Sequence, residues 1–270
     1  MQPEVDDEPA HLREPGDPTP IHRSPPSDRL AHLVRRYWIP VWSIPAGEVS
    51  EQQVLQYPCC VIVVSKEYAR FYGVVRGLST VHLSGDGWAV GVMLQPAAGF
   101  MVTRRPVHQF TDDSVDVATL PNLVGDWVGG IRSAMADPSR PHARDDAIMV
   151  FEHVLAPLLP VDEEGLLINR IVDLVEETPE LLRVADLCER LAMTERTLQR
   201  LLAKRLGLTP KWLIQRRRLH EASAALRSGS ADLAGLAADL GYADQAHFTR
   251  DFRKVTTMTP GDLARRWQDS

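Results

Sequence analysis

The chain has 270 residues, of which 44% are hydrophobic, and a formal net charge of -6 at pH 7. This length allows two domains with ordinary globular cores. The longest apolar runs, such as residues 61–64, are far shorter than the roughly 18 residues that cross a bilayer, so we expect no membrane partner. Three cysteines without a C-x-x-C pair argue against a disulfide framework and a zinc knuckle.

Residues 1–27 carry seven prolines among acidic residues. They lack the basic start and apolar core of a signal peptide, so this composition predicts a disordered, Pro-rich tail and a cytoplasmic protein.

Short β-rich runs broken by glycine follow from about residue 28 to 120 and predict a small antiparallel barrel or sandwich. Helices are expected over 122–135 and 144–159. The apolar residues expected to line the barrel interior are Val61 to Val64, Val90, Val92, Met93 and Leu94. The fold class is therefore α+β, with a β-rich sensor or regulatory domain and its helices over 28–163 and an all-α domain over 165–270.

An internal repeat organises the all-α part. Residues 187–210 align with 236–260 if the second copy has one extra residue in its turn. Each copy reads as a short helix, a tight turn, an N-cap residue (Thr194 or Asp244) and a longer helix. The repeat predicts two helix-turn-helix units, joined by a helix of about 17 residues that is about 25 Å long.

The longer helix of each unit presents a polar face at the same phase. In the first copy Arg196, Gln199 and Arg200 share this face, together with Ala203. The major groove of DNA admits one α-helix, from which Arg reads guanine and Gln reads adenine through paired hydrogen bonds. The two faces therefore predict that one chain reads two adjacent major-groove segments of double-stranded DNA.

The charge of the all-α part agrees with a polyanionic partner. Residues 165–270 hold 17 Lys and Arg against 14 Asp and Glu, and residues 196–218 hold eight basic residues and no acidic one. The basic residues in and beside the joining helix are Lys211 and Arg216 to Arg218. They form either a solvated basic face with some packed stems or a surface that holds DNA, in which case their removal should weaken binding to all sequences alike.

The stretches TERTLQRLLAKRLGLTPKWLIQRRRLHEA and GYADQAHFTRDFRKVTTMTP resemble the DNA-binding domain of the AraC/XylS family of bacterial transcription regulators. The resemblance covers about residues 166–268. The DNA-contacting positions that it implies are Glu195, Arg196, Gln199, Arg200, Gln245, Ala246, Thr249 and Arg250. Thr257 departs from the family, which usually has glycine there, and threonine would be strained if the backbone φ is positive.

Upstream, Tyr37-Trp38 and the later β-rich runs look like the cupin-like N-terminal domain of one group of these regulators. That resemblance implies a transcription regulator modulated by a small-molecule effector, with RNA polymerase and a second copy of the chain as further partners. The group often has Arg and Pro-Gly within the segment that reads Met93 to Ala97 here, so no pocket chemistry is transferred.

The alternative is a β-barrel, cupin-type enzyme fused to a DNA-binding domain. A metal-bearing cupin would need clustered imidazoles and a carboxylate, whereas His82 and His108 stand alone in the sequence. No phosphate loop, nucleophile elbow or H-E-x-x-H helix is present in the sequence. We therefore expect no catalytic residue, no metal and no cofactor.

Overall fold

The computed structural model describes residue 12, residues 20–229 and residues 232–268. Its first part, here called the β-rich half (residues 20–159), begins with strands and ends with helices. The strands are β1 Ile21–Ser24, β2 Val34–Ser43, β3 Ser50–Val54, β4 Val61–Ser65, β5 Ala69–Tyr72, β6 Ser79–Leu83, β7 Asp86–Leu94 and β8 Ser114–Asp116. The helices are α1 Pro96–Thr103, α2 Trp127–Ala134 and α3 Ala143–Leu155, with a short 3-10 helix at Val107–Phe110.

Within the described residues the strands form two sheets. One has the order β1-β2-β7-β4-β5-β8, and the other pairs β3 with β6; all pairings are antiparallel. The two sheets form an open, cupin-like sandwich rather than a closed barrel. The predicted α+β class, with a β-rich domain before an all-α domain, is confirmed.

The larger sheet has two apolar faces with different neighbours. Ile62, Val64 and Val92 belong to the main core, which they share with residues of α1, α2 and α3. Val61 and Val63 point to the other face, because side chains alternate along a strand. That second face looks toward β3 and β6.

The helical half (residues 163–268) contains both copies of the repeat. Its helices are α4 Glu163–Glu177, α5 Val184–Arg190, α6 Glu195–Arg205, α7 Pro210–Arg227, α8 Leu233–Asp239, α9 Gln245–Thr256 and α10 Pro260–Gln268. Helices α5 and α6 form the first helix-turn-helix unit, and α8 and α9 form the second. The joining helix α7 has 18 residues, close to the predicted length, and Pro210 at its first turn follows the N-cap Thr209.

Packing is continuous across the predicted domain boundary. Asn169 of α4 is buried and accepts a 2.8 Å hydrogen bond from the Ala97 amide, while its side-chain amide donates to the His32 carbonyl. The main core runs without a break from the β-rich half to Leu213 and Ile214 of α7. Folding of residues 165–270 as a separate domain therefore stays a proposal.

The prediction of a disordered tail over 1–27 is wrong for its last part. Residues 21–24 form β1 and pair with β2, because the edge of β2 opposite β7 offers unpaired backbone groups. Leu12 is also fully buried, and its amide donates to the Gln53 carbonyl over 2.9 Å. The rest of the predicted tail before residue 20 lies outside the described residues.

Candidate functional site

The first unit presents its predicted DNA-reading residues to solvent. Thr194 caps α6 by accepting a hydrogen bond from the Thr197 amide, which leaves the first turn well formed. Glu195, Arg196, Gln199 and Arg200 are all exposed. Gln199 donates to the Glu195 carboxylate over 2.8 Å, one turn earlier on the same face. The structure therefore brings these four side chains together on the outer face of α6.

The second unit repeats the arrangement on α9. Asp244 is the cap, and its carboxylate accepts from the His247 amide over 2.6 Å. Phe248 and Phe252 are fully buried beneath the helix. The predicted DNA-contacting residues lie on the opposite side, where three are exposed and Thr249 is half-buried: Gln245, Ala246, Thr249 and Arg250.

Two corresponding positions in the units require positive φ, and each copy has glycine at a different one. At the end of the longer helix, Gly207 has φ 81° in the first unit and Thr257 has φ 64° in the second. In the turn between the helices, Ala192 has φ 49° and Gly241 has φ 73°. At position 257, where the AraC/XylS family usually has glycine, this chain has a β-branched residue in the left-handed region. Strain at Thr257 is therefore expected, as the sequence analysis predicts for a positive φ.

The basic run does not form one exposed surface. Arg205, Arg216 and Arg217 are only 2%, 1% and 5% exposed, and Arg218 lies over the Tyr242 ring at 3.7 Å. Both interpretations of this basic face, as a solvated surface or as a surface that holds DNA, are therefore wrong for Arg216 and Arg217, which are buried. Both arginines lie on the apolar stripe of α7, within one helical turn of buried leucines. There their guanidinium groups donate to backbone carbonyls of other segments rather than to solvent.

Arg205 joins the end of α6 to the start of α4. It donates to the carboxylates of Asp162 and Glu164, and its guanidinium lies over the Phe100 ring at 4.5 Å. Partial burial acts to raise the pKa of each carboxyl. The hydrogen bond from Arg205 to Asp162, and those from Lys204 and Arg205 to Glu164, outweigh it and hold both pKa values below their usual range. Arg205, five residues after Arg200, thus fixes the orientation of α6 relative to α4.

The β-rich half also contacts the first unit directly. The Thr111 hydroxyl donates to the Gly207 carbonyl over 2.9 Å, and a ring nitrogen of His108 lies 3.3 Å from the Ala203 carbonyl. Ala203 was predicted to share the exposed face of α6, but it is half-buried at this contact. His82 lies elsewhere, beside Glu51 on β3. The two histidines considered as metal ligands are therefore not brought together.

A cavity of about 170 Å³ lies between the second face of the larger sheet and the β3–β6 pair. Trp38 and Trp42 of β2 lie flat across Gly91 and Gly87 of β7, where any Cβ would overlap the indole rings. The lining is mostly apolar, with polar atoms at Arg23, Arg36, Gln52 and Gln56. Its apolar members include Trp38, Trp42, Val54, Val61, Val63, Tyr68, Tyr72, Val75, Val81, Ala89 and Met93.

The predicted lining residues are correct in part. Val61, Val63 and Met93 line the cavity. The other predicted members, Ile62, Val64, Val90, Val92 and Leu94, face the helices instead and belong to the main core. An entirely apolar strand gives no alternation from which the two faces can be told apart. Sequence reasoning missed the paired tryptophans and the α7 residues beside the cavity, although the Trp-x-x-x-Trp spacing on a strand was a usable signal.

The fold and the two matched faces define a class of protein: a β-rich domain joined to a double helix-turn-helix domain. Comparison with known families agrees, since residues 187–266 match the family described as "Helix-turn-helix domain" and residues 22–116 match "Domain of unknown function (DUF6597)". The first match covers both helix-turn-helix units, as expected from the resemblance of the helical half to the DNA-binding domain of the AraC/XylS family.

Two curated relatives are both named HTH-type transcriptional activator RhaS. The one from Escherichia coli (strain SE11) is 35% identical over 75 residues, 28% of this chain and 27% of that protein. The one from Yersinia pestis (strain Pestoides F) is 30% identical over 102 residues, 38% of this chain and 37% of that protein. The matched segment thus spans about a quarter of the first relative and just over a third of the second.

Among solved structures, ToxT from Vibrio cholerae aligns with 92% of this chain and 97% of its own, at a TM-score of 0.43 and 13% identity. In the described part of the chain, no helix is both long and apolar enough to cross a membrane.

Proposed function

We propose that this chain is a sequence-specific, DNA-binding transcription regulator that acts in the cytoplasm. Helices α6 and α9 read two adjacent major-groove segments, with RNA polymerase as a further partner. The observation that carries the proposal is the pair of capped helices with matched exposed faces, each with an Arg at the corresponding position, 200 or 250. The joining helix α7, of 18 residues and about 27 Å, is comparable to a large part of one DNA turn.

The DNA-reading residues proposed are Glu195, Arg196, Gln199, Arg200, Gln245, Ala246, Thr249 and Arg250. An Arg or Gln that enters the groove makes paired hydrogen bonds to a base, while Glu195 is suited to accept from a cytosine amine. The contact between Gln199 and Glu195 orients both side chains before DNA arrives, which reduces the entropy lost on binding.

The cavity supports modulation by a small molecule. Its tryptophan floor and valine walls suit a compact ligand with a flat, apolar body, and the polar atoms of Gln52 and Arg36 suit one hydrogen-bonding group on that ligand. Such a ligand must bind the DNA-competent and incompetent states with different affinity to act as an effector. No observation favours the alternative of a cupin-type enzyme.

The test is selection of bound sequences from a random duplex pool with the full chain, followed by affinity measurements at several salt concentrations. Arg200→Ala and Arg250→Ala should each cost about 1 to 3 kcal/mol at the selected site and relax base preference in different parts of it. Lys66→Ala is the control, because it removes an exposed positive charge from the β-rich half.

Two outcomes would contradict the proposal. One is a full-length chain that is folded but selects no sequence. The other is that both arginine variants and the lysine control weaken all duplexes equally, since a purely electrostatic contribution carries no base preference.

A further inference from the structure

The β3–β6 pair covers the cavity, and we call it the lid (residues 50–54 and 79–83). It is a two-stranded sheet, which is marginally stable in isolation and depends on what it packs against. Gln52 and Leu83 of the lid line the cavity, whereas Glu51 and His82 face solvent. Even Val81, which also lines the cavity, is 44% exposed. The lid is therefore a thin cover over the cavity.

The residues that follow the first lid strand contact α7. After β3 ends at Val54, the carbonyl of Gln56 lies 3.4 Å from a ring nitrogen of His220. The next residue, Tyr57, stacks on the His220 ring with centroids 4.6 Å apart and an angle of 17° between the planes. Leu55, fully buried, belongs to the same apolar cluster as Leu219 of α7.

The second lid strand is held by the same helix, one turn earlier. Just before β6 begins, the Arg216 guanidinium donates to the Arg76 carbonyl over 2.6 Å and lies 3.4 Å from the carbonyls of Val75 and Gly77. Leu78 packs at the edge of the cluster that contains Leu219. Both strands of the lid are thus anchored on adjacent turns of α7.

The anchoring residues are also cavity residues. Gln56 and Val75 line the cavity and provide the carbonyls that meet His220 and Arg216. Arg36, another lining residue, has its guanidinium 5.3 Å from the centre of the Tyr57 ring. A molecule that displaces the cavity wall at these points therefore displaces groups in direct contact with α7.

Arg216 is bonded to the segment just before the second lid strand through one nitrogen, Nη2. Burial lowers the pKa of Arg216 to about 9, so it remains charged at pH 7. Its Nε and Nη1 atoms have no hydrogen-bond partner within the part of the chain that the structure describes. Its guanidinium also lies over the Trp212 ring at 4.4 Å. The bond to the Arg76 carbonyl and this ring contact therefore offset the hydration that the buried cation loses, so removing the donors weakens the hold on the lid. Burial and the neighbouring Arg216 charge lower the pKa of His220 to about 3, so the stacked ring is neutral.

Helix α7 in turn contacts the second unit. Gln215, adjacent to Arg216, donates to the Asp251 carboxylate of α9 over 3.0 Å. We propose that the lid and α7 move together, so that a ligand entering the cavity shifts α7 and with it the spacing between the recognition helices α6 and α9. This regulation rests on the proposed function. By linkage, the factor by which the ligand changes the equilibrium between positions of α7 equals the ratio of ligand affinities in those two positions.

Hydrogen–deuterium exchange of the full chain tests the coupling without a ligand. Arg216→Met keeps the aliphatic stem and removes the donors. Exchange in the lid should become roughly tenfold faster, the factor expected for one lost hydrogen bond from a charged group, while β4 and β7 should not change. Arg217→Met is the matched control, because Arg217 is also buried on α7 but bonds within the helical half, to the Leu181 carbonyl and Glu221.

A lid that exchanges within about twofold of the wild-type rate in Arg216→Met, or equally fast in both variants, would overturn the inference. If Arg216→Met does not fold, Tyr57→Leu removes the stacking on His220, which is another contact between the lid region and α7, from the side of the β-rich half. It should speed exchange in the turns of α7 around Arg216 and His220, and unchanged exchange there would refute the coupling.

Cavity filling then separates this inference from the proposed function. Val63→Phe adds a ring to the cavity wall, and its effect on DNA affinity is compared with and without Arg216→Met. A several-fold shift that is lost in the Arg216→Met background supports coupling through α7. An equal shift in both backgrounds overturns the coupling but leaves the regulator intact. Coupled exchange without any DNA binding would instead refute the proposed function.

Discussion

Replacing Thr257 with glycine should stabilise the second helix-turn-helix unit. Thr257 follows α9 with φ 64°, and its amide donates to the Arg253 carbonyl, so the backbone cannot leave this conformation without losing the cap. A non-glycine residue in the left-handed region costs roughly 1 to 2 kcal/mol. Glycine loses about 0.5 to 1 kcal/mol more chain entropy on folding, which offsets part of the gain.

The side chain of Thr257 contributes one local contact, a 2.6 Å hydrogen bond to the Thr256 carbonyl. Because Thr257 is exposed, water replaces this bond in the glycine variant, which costs roughly a few tenths of a kcal/mol of stability. The net expectation is a gain of about 0.5 kcal/mol in the free energy of unfolding. For a chain of this size that corresponds to a rise in Tm of about 1 to 2 °C.

The assay is thermal and urea unfolding of the full chain, with Thr257→Ala as the control. Alanine removes the hydroxyl but keeps the Cβ, so it should remain strained and gain little. If Thr257→Gly is no more stable than Thr257→Ala, strain at this position is not the cause. Gly207→Ala is the reciprocal change and should be destabilising, because the new Cβ would lie 2.6 Å from the Thr111 hydroxyl.

Three further predictions concern the caps, the turn and pH. Asp244→Ala should lower the free energy of unfolding by about 1 kcal/mol in a urea titration, because the N-cap of α9 is lost. An unchanged urea midpoint would show that the cap does not contribute to stability. Ala192→Gly should stabilise the first unit by a few tenths to about 1 kcal/mol, by relief of φ 49°, and a lower Tm would contradict this reason. The lowered pKa values of Asp162 and Glu164 give stability that is present above about pH 4 and is lost as pH falls through their folded-state values. Arg205→Met should flatten that acid limb, and a limb of unchanged steepness would refute the assignment.

The sequence predicts the two DNA-reading faces because their evidence is local. A helix-turn-helix unit is formed by residues close in sequence, and its caps and buried phenylalanines follow the helical period. The repeat supplies an internal alignment that pairs Arg200 with Arg250. Their exposure is therefore predicted both by this alignment and by the helical period of the apolar residues. The positive φ at Thr257 follows in the same way, since Gly207 marks the corresponding position.

The burial of Arg216 could not be predicted, since its partners lie about 140 residues away in sequence. Three consecutive arginines on a helix point in three directions, and nothing local says which direction is solvent. Charge counts treat all three alike. Only the packing of the β-rich half on α7 separates Arg216, bonded to Arg76, from Arg217, bonded to Leu181, and Arg218, stacked on Tyr242.

The two units also differ in how the β-rich half holds them. Its hydrogen bonds, over the residues that the structure describes, reach α6 and Gly207 just after it through His108 and Thr111, and reach α7 through Gln56 and Val75 to Gly77. Helix α9 is joined to α7 by Gln215. The end of α6 has a glycine at the required positive φ, whereas the end of α9 carries the strain of Thr257. A shift of α7 therefore changes the position of α9 more readily than that of α6. A ligand that acts through α7 should alter contacts in the half of the DNA site read by Arg250 and leave the half read by Arg200 largely unchanged, and footprints that change equally in both halves would refute this asymmetry.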